Sequence, residues 1–176
     1  MGGKGGLVYI GGTATDPGSQ TREAAIRAEV QQHYPNIKFL AAQPADYSAA
    51  MARTVMQNFV QSYGSQINGV ITAADNMAQA ADGYIATTNL KGKVIIGSFG
   101  GQTTFVDDIK AGKAYATVPF PVVSDGARAM QRIAQCIEGN KSTVFDSSTT
   151  QPVLLPLESA DFVLTAGNID SYTPQY

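Results

Sequence analysis

The chain is poor in the side chains on which most enzymes and metalloproteins depend. A single cysteine, Cys136, excludes an internal disulfide and any multi-thiolate zinc site. A single histidine, His33, removes most histidine-based catalysis and metal ligation. Charge is scarce as well. Lys+Arg is 12 and Asp+Glu is 14 in 176 residues, a net charge of −2, and charged residues make up 15%, against roughly 25% in an average soluble domain. Without a basic field to grip a phosphate backbone, direct nucleic-acid binding is disfavoured. The longest apolar runs, such as 94–96 and 153–155, fall far short of the roughly 20 residues of a membrane span. The opening Met-Gly-Gly-Lys-Gly-Gly has no apolar segment of about 7–15 residues behind its basic residue. Residues 1–6 are therefore expected to be a flexible leader rather than a signal peptide.

What is present is a core. Hydrophobic residues make up 44%, enough to exclude intrinsic disorder, and they fall in short runs that alternate with helical patterns. Strands are expected at 7–10, 37–42, 69–74, 93–99 and 114–118. Between them, a polar loop through Asp16-Pro17-Gly18-Ser19 leads to a helix at 21–34 with Ser19 as its N-cap. A second helix, capped by Asp46 or Ser48, carries Met51, Val55, Phe59 and Val60 as an apolar stripe and closes at Gly64. A third starts at Asp75, and a short fourth covers 104–111. The most regular helix is 121–138, with Val123, Ala127, Met130, Ala134 and Ile137 at offsets 0, 4, 7, 11 and 14. Continuous apolar strands alternating with helices imply βαβ units, a mostly parallel sheet and right-handed crossovers. The expected architecture is a three-layer α/β/α sandwich of flavodoxin-like type. Beyond it, residues 140–176 read as a Ser/Thr-rich stretch, extended segments at 153–157 and 162–164, and a frayed end.

In open α/β sheets, ligands bind beyond the carboxyl ends of the strands. The loops at those ends hold few catalytic groups but several aromatics, amides and single charges: Arg22, Tyr47, Asp75, Asn76, Phe99 and Phe120. Aromatic faces with a few polar groups describe a cleft for a small ring-shaped molecule rather than a reaction centre. Asp75, directly after a strand, also suits a helix N-cap. Arg22 could serve a surface ion pair and Tyr47 the edge of the core. Ser98 lacks the first glycine of G-x-S-x-G, and Gly11-Gly12-Thr13 has neither dinucleotide-fingerprint spacing nor a P-loop ending. No catalytic residue, metal site or cofactor is expected.

Three segments in order, Gln43-Pro44-Ala45-Asp46-Tyr47, Met56-Gln57-Asn58 and Ala74-Asp75-Asn76-Met77-Ala78, resemble the C-terminal lobe of periplasmic solute-binding proteins of ABC importers, in the ribose/galactose-binding branch. Ile95-Ile96-Gly97 and Gly112-Lys113-Ala114-Tyr115-Ala116-Thr117-Val118 continue the likeness, which runs from about Leu7 to Asp170. The resemblance implies a type I periplasmic-binding-protein lobe (7–120), a helix at 121–139 that packs on a missing N-terminal lobe, and hinge crossings at 119–121 and near 155–158. It also implies a small-molecule solute, a membrane permease as partner of the parent, and a periplasmic location for the parent. Without that lobe, helix 121–139 is expected to fold back on its own sheet or to be buried against another chain, as in a homodimer. By the same resemblance Arg22 contacts ligand from the first loop and Tyr47 stacks on it. Ala74, the Gly100-Gly101 turn and Phe120 replace polar groups that read sugar hydroxyls. That favours a less hydroxylated solute, with an aromatic ring or with a carboxylate facing Arg22. The ligand-sensing core of a transcription repressor shares this fold and is the alternative, as is a half-protein made for folding studies.

Overall fold

The computed structural model describes residues 1–138, 163–174 and 176. Six strands form one sheet in the order β2-β1-β3-β4-β5-β6. They are β1 (Gly5–Gly11), β2 (Ile37–Pro44), β3 (Ile67–Thr72), β4 (Ile95–Gly100), β5 (Ala116–Pro119) and β6 (Leu164–Thr165). The first five are parallel, and β6 runs antiparallel along β5. This is the flavodoxin-like order, with the helices α1 (Pro17–His33), α2 (Ala49–Tyr63), α3 (Asp75–Ile85) and α4 (Thr103–Lys110) as crossovers. The order reverses at β1, so right-handed connections place α1 on one face and α2–α4 on the other. The expected α/β/α sandwich is what forms.

The face under α2–α4 holds the main core. Val8 and Ile10 of β1 meet Val55, Met56 and Phe59 of α2, Met77 and Ala81 of α3, and Phe105 and Ile109 of α4, all buried. The stripe on α2 is turned relative to expectation. Ala52, Val55, Met56 and Phe59 are buried while Met51 is exposed, because positions at three- and four-residue spacing share one helical face. Ser48 Oγ caps this helix by accepting from Met51 N at 3.3 Å. Gly64 ends it at φ 51°.

Other local expectations are corrected. Residues 1–6 are not wholly a leader: β1 starts at Gly5, and Gly6 N–H donates to Asn68 Oδ1 at 3.0 Å. Helix α1 starts at Pro17 rather than at 21, and its N-cap is Asp16, not Ser19. Proline lacks the N–H that a first helical turn leaves unpaired and is fixed at a helical φ, so Asp-Pro starts a helix here instead of a loop. The C-terminal end is not frayed. Tyr172 Oη donates to Gly101 O at 3.3 Å and Tyr176 Oη to Gly100 O at 2.9 Å, while Thr103 N–H donates to Tyr176 O at 2.9 Å. The extended segment expected at 153–157 and the crossing near 155–158 lie outside the described residues.

Helix α5 (Val122–Ile137) follows β5. It does not fold back on its own sheet: Val122, Met130, Ile133 and Ile137 are exposed, Ile137 to 78%. The α1 face accordingly keeps an apolar groove of about 640 Å³ beside α1. Leu7, Ile26, Val30, Ile71, Ile95 and Tyr115 line it, and Arg22 and Phe99 stand where it meets the carboxyl ends of the strands.

Candidate functional site

The loops at the carboxyl ends are clasped by one residue, Tyr47. Asp16 caps α1, its Oδ1 accepting from Gly18 N at 3.0 Å and its Oδ2 from Ser19 N at 3.1 Å. Tyr47 Oη donates to the same Oδ2 at 3.0 Å across the β1–α1 and β2–α2 loops. The third loop joins through Asn76, whose Nδ2 donates to Tyr47 O at 3.1 Å. The Gly18 N–H first, then the Tyr47 hydroxyl, hold the Asp16 carboxyl below its ordinary pKa, with smaller help from Ser19 N–H and Arg22. Tyr47 and its neighbour Asp46 both adopt left-handed backbone, at φ 55° and 49°. Such conformations strain non-glycine residues, and they persist where surrounding contacts over-determine them. Here those contacts are the two hydrogen bonds and Gly12, on which the Tyr47 ring packs so closely that a Cβ would overlap it.

A second cluster gathers around Arg22. Its guanidinium carbon lies 4.6 Å from the Phe99 ring centroid and 5.8 Å from that of Phe120, within the range of cation–π attraction. Arg22 Nη1 and the neighbouring Tyr9 Oη are both sealed from solvent. Burial raises the pKa of the Tyr9 phenol, and the neighbouring Arg22 charge and donor only partly oppose that rise.

Asp75 departs from the N-cap reading. It does not cap its own helix, whose N-cap is Ala74. Its side chain is fully buried. Oδ2 accepts from Gln102 N at 2.8 Å, at the start of α4, and Oδ1 accepts from Thr117 Oγ1 at 2.8 Å. Thr117 Oγ1 in turn accepts from Gly101 N at 3.3 Å. Beside it, Thr72 Oγ1 and Ser98 Oγ lie 2.9 Å apart, and Thr72 donates to Ala74 O at 2.9 Å. A Cβ on Gly100, whose φ is 148°, would collide with Asp75 Oδ2, so glycine is required where the β4–α4 turn crosses the carboxylate. The pKa values of Tyr172 and Tyr176 are raised, first by burial and then by the Asp75 charge.

The structure thus brings Tyr47 and Asn76 together, and separately Arg22, Phe99 and Phe120, while Asp75 supports the floor between β3, β4 and β5. The sequence reading missed Asp16, Tyr9, Thr72, Thr117 and the tail tyrosines. Hydroxyl residues next to the ends of apolar strands were the available signal for Thr72 and Thr117. Among the described residues no cluster of three or more His, Cys, Asp or Glu side chains could hold a metal ion. No described helix is long and apolar enough to cross a membrane.

Comparison with known proteins agrees with the fold. The chain is 33% identical over 97 residues to a xylitol-binding protein of Mycolicibacterium smegmatis, covering 55% of this chain and 28% of that protein. It is 27% identical over 132 residues to a D-apiose import binding protein of Paraburkholderia graminis, covering 75% of this chain and 41% of the relative. An ABC transporter periplasmic solute-binding protein of Actinobacillus succinogenes, solved with bound D-allose, superposes with a TM-score of 0.78 at 24% identity, over 97% of this chain and 55% of that one. That likeness shows the fold. The chain spans about half or less of the length of these proteins. The family model for the periplasmic binding protein domain matches residues 1–141, and the chain belongs to that family.

Proposed function

We propose that this chain is the C-terminal lobe of a solute-binding protein that serves an ABC importer. It would hold a small sugar-like ring at the carboxyl ends of β1–β5 and perform no catalysis. Arg22, Phe99 and Phe120 supply the aromatic and cationic wall, Tyr47 and Asn76 the clasped rim, and Asp75 the floor beneath them. The observation that carries this reading is the pairing of Arg22 with two aromatic rings at the strand ends, next to loops held in strained backbone. Closure of a second lobe over the site would create the shape a membrane permease recognises, and the family's periplasmic description supports the same location for the parent. The exposed apolar side of α5 is the surface for that second lobe. In its absence the same side suits a homodimer through helix 121–139.

The test is an amide-resolved NMR titration of the chain with xylitol and with D-apiose, the solutes in the relatives' names. Shifts concentrated at 11–22, 43–47, 73–76, 98–102 and 119–120 are expected, with weak affinity because one lobe makes only part of the contacts. Shifts confined to the α1-face groove, or to α5, would overturn the assignment.

A further inference from the structure

The tail of the chain takes part in shaping the cleft, a conclusion that rests on the solute-binding function above. The turn after β4 follows Phe99 and runs through Gly100 and Gly101, at φ 148° and 77°. Two successive glycines leave such a turn free to adopt other conformations, so its placement depends on what holds its peptide groups. The N–H side is held from the sheet: Gly101 N donates to Thr117 Oγ1 and Gln102 N to Asp75 Oδ2. The carbonyl side is held by the tail, with Tyr176 Oη donating to Gly100 O at 2.9 Å and Tyr172 Oη to Gly101 O at 3.3 Å. Tyr176 is itself seated on α4, where its main-chain oxygen accepts from Thr103 N at 2.9 Å and from Thr103 Oγ1 at 3.0 Å. Gln102, the N-cap residue of α4, makes no side-chain hydrogen bond to the helix, so the tail meets its first N–H instead.

The two glycine carbonyls are not equivalent. Gly100 O also accepts from Phe120 N at 2.8 Å. One oxygen, with both lone pairs engaged, therefore joins the residue after Phe99, the backbone of Phe120 and the tail. Those are the two rings whose centroids lie 4.6 and 5.8 Å from the Arg22 guanidinium carbon. Tyr172 reaches the next carbonyl along, which Phe120 N does not share. We propose that Tyr176 is a positioning residue of the solute cleft: through the Gly100 carbonyl it holds Phe99 and Phe120 against Arg22. It acts on the turn and not on the solute.

The test compares Tyr176→Phe with Tyr172→Phe, each of which removes one phenol bond from the same turn. Tyr176 is 44% exposed, so its exchange for phenylalanine costs little packing. NMR follows the Phe120 amide, the Phe99 and Phe120 ring signals and the Arg22 Nε–H, which senses both ring currents, first without solute and then against xylitol. Tyr176→Phe should move these signals farther than Tyr172→Phe does and leave the Asn76 side-chain amide in place. It should also raise the xylitol concentration for half-saturation about three- to tenfold, the effect of one hydrogen bond. If Tyr176→Phe fails to fold, Thr103→Val removes one of the two bonds to the Tyr176 main-chain oxygen and should move the same signals. Equal displacement by the two tyrosine variants would mark general loosening and overturns the positioning role, as does an unchanged half-saturation. A parent chain that binds neither xylitol nor D-apiose overturns the solute-binding reading and this role with it. Binding by the parent, with unmoved ring signals in Tyr176→Phe, overturns the role alone.

Discussion

Replacing Thr117 by Val should be far more damaging than the loss of one oxygen suggests. The residue is fully buried, and the change keeps nearly the same shape, so packing is little altered. Its hydroxyl donates to Asp75 Oδ1 at 2.8 Å and accepts from Gly101 N at 3.3 Å. A hydrogen bond to a charged group contributes about 1.5–3 kcal/mol net, and stranding a buried partner costs about 1–3 kcal/mol. These terms overlap, so about 2–4 kcal/mol is expected. The internal reference is Thr54, exposed on α2, whose Oγ1 bonds only Ala50 O at 3.2 Å. Thr54→Val should stay within about 0.5 kcal/mol of the parent. Urea unfolding followed by far-ultraviolet circular dichroism measures both, provided the slope with denaturant is unchanged between variants. If Thr117→Val shifts stability no more than Thr54→Val does, Asp75 does not depend on that hydroxyl and the network reasoning is refuted.

Four other outcomes follow from the structure. Gly12→Ala should displace the Tyr47 ring and destabilise the chain by about 1–3 kcal/mol, with changed Asn76 side-chain amide signals; unchanged signals would show that the ring does not pack there. The Asp16 pKa is held below its ordinary 3.8, so its stabilisation is present above that value and is lost as pH falls through the folded pKa. Acid unfolding of Asp16→Asn should therefore have a shallower limb below pH 3.8, and an identical limb would refute the assignment. Tyr9, Tyr172 and Tyr176 are shifted the other way, above 10.0. Their contribution is complete below pH 10.0 and is lost as pH rises through the folded values, so the Tyr9→Phe variant should lose less stability than the parent on alkaline melting. Finally, Met130→Glu on the exposed side of α5 should lower concentration-dependent self-association in light scattering; parent and variant scattering alike as monomers would remove the homodimer.

The sheet was legible because parallel strands buried on both faces leave continuous apolar runs, as at Val8-Tyr9-Ile10 and Ile95-Ile96. Helix α5 was legible from its periodicity, though not its exposure, since a stripe says that a face needs cover and not where the cover stands. The start of α1 was misplaced because Asp-Pro-Gly-Ser scores as a turn and also as a cap followed by proline, and local chemistry alone does not choose between them. The N-cap reading of Asp75 failed because its partners Gln102 and Thr117 lie 27 and 42 residues away, beyond any local pattern. The left-handed backbone at Asp46 and Tyr47 has no sequence mark either, because it is imposed by contacts with Asp16, Gly12 and Asn76. Long-range hydrogen bonds likewise tie down the tail that its composition marks as loose.

Because Tyr47 joins three segments, its phenol on Asp16 and its main-chain carbonyl on Asn76, the rim is tied as one plate rather than as separate fingers. Altering Asp16, Tyr47 or Asn76 disturbs all three segments at once. Shifts in ligand preference within this lobe therefore have to be written at positions off the plate, at Arg22, Phe99 and Phe120, where a side chain can be exchanged without unfastening its neighbours.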